Sequence, residues 1–181
     1  MDIKLIAIFA LALLLGVLFL SGPSSKPQPA STDQSLAQAE KILQQVRDEI
    51  IPAEDSPTDY GVTFSEAGYK ALMAKNKELS IPAGKTAAFE SLDMSLPCCN
   101  FKHPSADETK NCPCGHHQTL YGLAKSLLSQ GYTTARVQKE VTRWNHYFYP
   151  KEALRAEMER RGQLDPEVKA ALEELKAKGK C

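Results

Sequence analysis

The residues best suited to chemistry in this chain are cysteines and histidines, and they are concentrated in one stretch. Four of the five cysteines and all four histidines lie between Cys98 and His146. A Cys98-Cys99 pair is followed, after a polar loop, by the turn Cys112-Pro113-Cys114-Gly115-His116-His117. Thiolate and imidazole groups are ligands that zinc and copper favour in proteins. The stretch therefore predicts a transition-metal site.

The predicted ligands are four cysteines, with one or both histidines of the turn completing or supporting the site. Cysteines two residues apart can both reach one metal ion, and both histidines lie beside the apolar stripe of a helix that starts here. Zinc suits a structural role, and copper(I) fits a set in which thiolates dominate. Met94 could add a thioether, although a place in the core is favoured, and His103 stays open as a ligand. The predicted metal ligands are Cys98, Cys99, Cys112, Cys114, His116 and His117.

The same cysteines allow two other functions. Cys112 and Cys114 could form a redox dithiol for thiol–disulfide exchange, because a helix N-terminus and a nearby protonated histidine both lower the pKa of a thiol. Alternatively, disulfides could staple the loop to the helix, which would make the protein an interaction scaffold. Cys181, at the end of a polar helix, is expected to be an exposed thiol.

Two helices must present this cluster. The first is predicted from about His116 to Gln130, with leucines on one side and Gly131 as its C-cap. The second starts at Thr133 or Thr134 and ends before Pro150. Four residues form its apolar face: Val137, Val141, Trp144 and Phe148.

Helices are predicted for the rest of the chain as well. The segments 31–34 and 63–66 fit capping boxes that each open a helix, and Thr86 starts a short helix that continues to Leu92. A last pair, 151–161 and 166–178, carries a solvated, ion-paired surface with a thin apolar seam. No segment alternates with a period of two, so the predicted fold class is all-α.

Residues 5–20 form an apolar run that predicts attachment to a membrane. As a helix, these residues would span roughly 24 Å, slightly short of a typical hydrocarbon core. A cleaved signal peptide and an uncleaved anchor are both open, and Pro23, which hinders cleavage after Gly22, favours the anchor. We expect a single-pass membrane protein whose C-terminal domain is extracytoplasmic, where disulfides persist.

The sequence thus divides into five parts of different composition. They are a membrane anchor or signal segment (1–22), a flexible linker (23–34), a helical N-terminal part (35–93), the Cys/His helical module (94–150) and a C-terminal helical hairpin (151–181). The module contains every predicted ligand.

Composition and motifs exclude several classes of function. The 22 basic and 22 acidic residues cancel, so no excess cation is present to neutralise nucleic-acid phosphates. No Gly-rich phosphate loop, catalytic carboxylate pair or nucleophile elbow is found, which argues against nucleotide binding and hydrolase chemistry. The sequence favours a binding protein over an enzyme, with the membrane and a protein at the cell surface as its expected partners.

Residues 94–150 resemble the PCYCGC-motif proteins, a membrane-linked group. The resemblance rests on Leu96-Pro97-Cys98, the clustered cysteines, Gly115-His116 and the helical hairpin that follows. It implies a location at the cell surface and a metal or thiol site. In this chain the cysteines are split between two short segments instead of forming one compact motif.

The module is also similar to the CcmH-type thiol-reductant subunits of cytochrome c maturation. Cys112 and Cys114 stand near the dithiol positions of that family, and Gly131-Tyr132-Thr133 matches the turn between its two helices. The resemblance implies thiol–disulfide exchange. The cysteine spacing here is one residue shorter, and Cys98 and Cys99 are additional.

Overall fold

The structure, a computed structural model, describes residues 32–180, and these form an all-α fold as predicted. The sequence predictions for the apolar run 5–20 and for Cys181 lie outside the described residues. Within residues 32–180, no helix combines the length and the apolar character that crossing a bilayer requires. The helices are α1 (Thr32–Ile50), α2 (Glu66–Glu78), α3 (Thr86–Glu90), α4 (Gly115–Ser129), α5 (Thr134–Phe148), α6 (Pro150–Gly162) and α7 (Pro166–Ala177), with a short 3-10 helix at Glu108–Lys110.

The predicted caps of α4, α5 and α7 are present. Gly131 follows α4 with φ +85°, a left-handed conformation that glycine adopts without strain. The side chain of Thr133 accepts a hydrogen bond from the backbone N–H of Arg136 and so caps α5. Asp165 caps α7 in the same way, with proline at the first helical position. Local hydrogen bonding thus decides where these helices begin and end.

The predicted start of α2 was wrong by two residues. The N-cap is Ser65, whose hydroxyl accepts a hydrogen bond from the backbone N–H of Gly68 at 3.1 Å. Thr63 lies outside the helix, and its hydroxyl oxygen is 2.6 Å from that of Ser65. Both residues carry a hydroxyl that can cap a helix. Only the hydroxyl of Ser65 accepts from a free backbone N–H of α2, so Ser65 is the N-cap.

The main core is formed chiefly by α2, α4 and α5, with α4 in the middle. Trp144 and Leu123 are fully buried in it. The helices α2 and α4 approach so closely that a Cβ atom at Gly122 would overlap the backbone carbonyl of Leu72. The buried members of this core are Phe64, Leu72, Phe89, Leu92, Met94, Leu96, Leu120, Tyr121, Leu123, Ala124, Leu127, Leu128, Val137, Val141 and Trp144.

A second core joins α1 to the C-terminal helices α6 and α7. The sequence predicted a solvated hairpin with a thin apolar seam for residues 151–181, and the charged surface is present, with Arg161 paired to both Glu49 and Glu157. The seam is covered by α1, more than 100 residues away in sequence. The buried members of this core are Ala39, Ile42, Val46, Leu154, Met158, Val168, Ala171, Leu172 and Leu175.

We predict that Gly122→Ala destabilises the protein strongly, because the added methyl group would force α2 and α4 apart. The expected loss is about 3 kcal/mol in the free energy of unfolding, at the upper end of the usual cost of overpacking. The matched control is Gly162→Ala at the end of α6, where the nearest atom would lie 3.3 Å from the new Cβ; its expected effect is below about 1 kcal/mol. Urea unfolding followed by circular dichroism measures both, and equal midpoints for the two variants would contradict the close approach.

Candidate metal centre

Cys98 and Cys99 lie at the tip of a tight loop that precedes α4. The backbone N–H of Cys99 donates to the carbonyl of Leu96 at 3.4 Å, and the N–H of Met94 donates to the carbonyl of Lys102 at 2.7 Å. These two bonds fold the chain back on itself. Met94 and Leu96 are buried in the core at its base, so the loop projects its cysteines from a rigid support.

Two amide side chains of α5 hold this loop in place. Gln138 donates to the carbonyl of Asp93 at 2.9 Å and accepts from its backbone N–H at 2.8 Å. Two helical turns further along α5, Asn145 donates to the carbonyl of Ser95 at 2.9 Å. The backbone polar groups of this extended segment therefore find partners on a helix instead of a neighbouring strand.

The other two cysteines are positioned by α4. Cys114 is the residue immediately before the helix, and the backbone N–H of Cys112 donates to the hydroxyl of Tyr121 at 3.1 Å. The loop between the two cysteine pairs is fastened by Lys125, whose ammonium group donates to Glu108 at 2.7 Å and to the carbonyl of Asn76 at 3.0 Å. This lysine side chain is only 3% exposed, so it holds the loop to α2 and α4 from the interior.

His117 is the centre of the cluster. Its imidazole ring is fully buried and makes a T-shaped contact with the ring of Phe101, with the ring centroids 5.0 Å apart. Its Nε2 lies 2.9 Å from the backbone carbonyl of Met94. Since a carbonyl oxygen can only accept, Nε2 carries the proton, and in the neutral ring Nδ1 carries the free lone pair.

That lone pair faces the cysteine sulfurs. Nδ1 of His117 lies 3.2 Å from the sulfur of Cys114 and 3.6 Å from that of Cys99. The sulfurs of Cys99 and Cys112 are also 3.6 Å apart. The ligand atoms form two sets in which all members lie within 4.8 Å of one another: Cys98, Cys114 and His117, and Cys99, Cys112 and His117. The structure thus brings all four predicted cysteines and one histidine together, and they could hold a metal ion.

The protonation state of Cys114 differs from the sequence-based expectation. A helix N-terminus should lower the pKa of a thiol, and the backbone N–H of His117 does act in that direction. Burial outweighs it and raises the pKa of Cys114 to about 12, because desolvation penalises the thiolate. At neutral pH the metal-free Cys114 is therefore a thiol, which argues against Cys114 as a spontaneously reactive thiolate.

His116 lies outside both sets of ligand atoms. Its ring packs between aromatic side chains, with the centroid of Phe148 at 4.7 Å, and its Nδ1 is 2.9 Å from the hydroxyl of Tyr149. Burial and the neighbouring Cys98 raise the pKa of the same hydroxyl. His116 therefore reaches the cluster only through Tyr149. Sequence spacing does not reveal this neighbour, because Tyr149 lies 35 residues or more from every cysteine of the cluster.

The remaining candidates have other partners. Met94 is buried in the core, as favoured, and it serves the site through its backbone carbonyl. His103 binds the carbonyl of Leu92 through Nδ1 at 3.0 Å. His146 binds the carbonyl of Ile50 through Nδ1 at 3.1 Å and is half-buried.

Comparisons with known proteins do not assign a function to this site. No protein-family model matches the chain, and no curated protein and no solved structure is significantly similar to it. The two family resemblances therefore stay predictions, and the interpretation of the site rests on its own chemistry.

We predict that the metal-free protein loses stability as the pH falls below about 6.5, the ordinary pKa of histidine. Burial lowers the pKa of both His116 and His117 in the folded protein, so the unfolded chain takes up protons that the folded chain does not. Stability is then fully present above the unfolded pKa and declines below it, by at most about 1.4 kcal/mol per pH unit for each histidine.

Urea midpoints measured in EDTA at pH 7.5 and 5.5 test this prediction. The midpoint should be lower at pH 5.5 in the wild type, and this difference should shrink in the double variant His116→Gln/His117→Gln. An equal difference in the wild type and the double variant would assign the acid sensitivity to other groups.

Proposed function

We propose that this protein binds a transition-metal ion, zinc or copper, through cysteine thiolates and Nδ1 of His117. The observation that carries the proposal is the orientation of the buried imidazole. Its Nε2 is committed to the carbonyl of Met94, and its Nδ1 points at sulfurs 3.2 and 3.6 Å away. In proteins, metal-binding histidines typically donate their second ring N–H to a carbonyl or carboxylate, which fixes the ring for the metal.

The spacing of the donors fits a metal ion. Zinc–sulfur bonds of about 2.3 Å and zinc–nitrogen bonds of about 2.0 Å place tetrahedral ligands about 3.5 to 3.8 Å apart. The sulfurs of Cys99 and Cys112 are 3.6 Å apart, and the same distance separates Cys99 from His117. These two distances therefore already lie in the range expected between ligands of one zinc ion.

The charge balance of the site also supports a cation. Several half-buried thiols face one another around a neutral histidine, and burial keeps at least Cys114 protonated. A bound metal ion replaces the thiol protons and supplies the positive charge that stabilises buried thiolates. Copper and zinc both accept such ligands, since each binds thiolate and imidazole.

We also propose that the metal centre is presented outside the cytoplasmic membrane by an anchor at residues 5–20. The apolar run and the resemblance of residues 94–150 to the PCYCGC-motif proteins support this location. A cell-surface protein is then the expected partner.

A second candidate function is thiol–disulfide exchange. The 3.6 Å between the sulfurs of Cys99 and Cys112 supports these two as the working pair, instead of the Cys112 and Cys114 pair that the sequence spacing suggests. In such a reaction the two thiols become a disulfide, and a disulfide of the partner accepts two electrons and two protons to become two thiols.

Metal analysis of the full-length chain, purified in detergent without chelator, tests the proposal. We expect about one equivalent of zinc or copper per chain and thiols that become titratable after chelation. Removing a residue that is hydrogen-bonded to a metal ligand weakens metal binding by up to about 100-fold. His117→Gln removes a ligand itself, so we expect it to weaken metal binding by more than about 100-fold. The adjacent His116→Gln is the matched control, with an expected change below about tenfold.

The outcomes separate the two functions. A wild-type chain with no metal and a disulfide between Cys99 and Cys112, mapped by mass spectrometry, would overturn metal binding in favour of thiol exchange. Equal losses of affinity in the His116→Gln and His117→Gln variants would show that Nδ1 of His117 is not a ligand.

A further inference from the structure

The cluster contains more donors than one metal ion of low coordination number needs, and they are arranged in two overlapping sets. We call Cys98, Cys114 and His117 the outer set, because Cys98 is exposed. We call Cys99, Cys112 and His117 the inner set, because both of its cysteines are partly covered. Each set offers two sulfurs and one nitrogen, and His117 belongs to both.

The shared histidine limits how the two sets can be used. Nε2 of His117 is bonded to the carbonyl of Met94, so the ring has a single lone pair, on Nδ1. One lone pair binds one metal ion. The two sets therefore cannot each hold an ion through His117 at the same time. They are instead two alternative positions for one ion, and His117 is a ligand in both.

The number and type of donors favour copper(I) over zinc for this arrangement. Zinc in proteins usually takes four ligands in a tetrahedron. Copper(I) is soft, prefers thiolates and is stable with two or three ligands. Among the described residues, the mutually close donors fall into groups of three, which is the number that copper(I) accepts.

We propose that the centre is a copper(I) transfer site, in which the ion is taken up by the outer set and passes to the inner set while it remains bound to His117. The proposal rests on the proposed function, metal binding. It names the cargo, copper(I), and the kind of partner, a copper carrier that holds the ion through thiolates. Cys98 is the most exposed cysteine of the cluster, so such a carrier can reach it from solvent.

The transfer is a ligand substitution and involves no change of oxidation state. Copper bonds to Cys98 and Cys114 break, and bonds to Cys99 and Cys112 form. The two protons of the incoming thiols pass to the outgoing thiolates, so charge and protons balance. The short distances from Nδ1 to Cys114, 3.2 Å, and to Cys99, 3.6 Å, place one sulfur of each set in contact with the shared ligand.

Tyr149 gives Cys98 the character of a leaving ligand. Its hydroxyl oxygen lies 2.9 Å from Nδ1 of His116, and the hydroxyl interacts with Cys98. When Cys98 is a thiolate, Tyr149 donates to the sulfur and the N–H of His116 donates to the tyrosine oxygen. A hydrogen bond to a thiolate withdraws electron density from the metal–sulfur bond, so the outer set holds copper less firmly than the inner set.

Cysteine variants of the full-length chain test the transfer. All of them carry Cys181→Ser, which removes the terminal thiol, and are loaded anaerobically from the copper(I)–bicinchoninate complex. We expect Cys98→Ser to slow copper uptake at least about tenfold while it changes the equilibrium affinity less than about threefold. Cys112→Ser should do the reverse and weaken the affinity by more than about tenfold, because it removes a ligand and not only a hydrogen-bond partner of a ligand.

The second measurement is Tyr149→Phe, which keeps the aromatic ring and removes the hydroxyl that interacts with Cys98. We expect normal stoichiometry and slower release of copper to excess bicinchoninate. Circular dichroism of each variant, compared with the Cys181→Ser parent, shows that the helices are intact.

The failures are distinguishable. Equal effects of Cys98→Ser and Cys112→Ser on both rate and affinity would overturn the transfer and leave metal binding intact. Binding of two copper ions per chain would overturn the inference that the two sets share one ion through His117. A Cys181→Ser chain that binds neither copper(I) nor zinc would overturn the proposed function itself.

Discussion

The proposed metal centre depends on the two hydrogen-bonding positions of one buried ring, that of His117. A fully buried imidazole must find partners for both nitrogens, because an unsatisfied polar group in the interior is costly. The carbonyl of Met94 takes the N–H of Nε2, and this choice leaves the lone pair of Nδ1 for the sulfurs. A single backbone carbonyl thereby sets the tautomer, the ring orientation and the direction in which a metal ion can be bound.

The surrounding fold holds that carbonyl and the cysteines in place around His117. The segment before Cys98 has no neighbouring strand, and amide side chains on α5 supply its backbone partners. Cys114 and His117 are three residues apart at the start of α4, so one turn of helix holds both on the same side. The helix packs directly against α2, because Gly122 has no side chain to separate the two backbones. The site is thus supported by regular elements on both sides of a loop.

Burial and charge pull in opposite directions within the cluster. Burial fixes the donors but raises the pKa of Cys114 and lowers that of His117, so the neutral forms dominate in the metal-free protein. Neutral histidine is ready to bind a metal, whereas a neutral thiol must first lose its proton. The balance suits a soft cation that replaces those protons, and it makes a permanently reactive thiolate unfavourable. Cys98, which interacts with Tyr149, is the most exposed cysteine of the cluster.

Local chemistry determined the parts of this protein that could be predicted from the sequence. The caps at Gly131, Thr133 and Asp165 follow from hydrogen bonds within one turn, and the thiol and imidazole groups themselves predict metal binding. Tertiary structure decided the rest, because the partners are distant in sequence. His116 and His117 are adjacent and chemically identical, and only the carbonyl of Met94 and the hydroxyl of Tyr149, both brought in by folding, distinguish them. The same holds for the contact of Cys99 with Cys112 across the loop, and for α1, which covers a C-terminal hairpin that no local pattern connects to it.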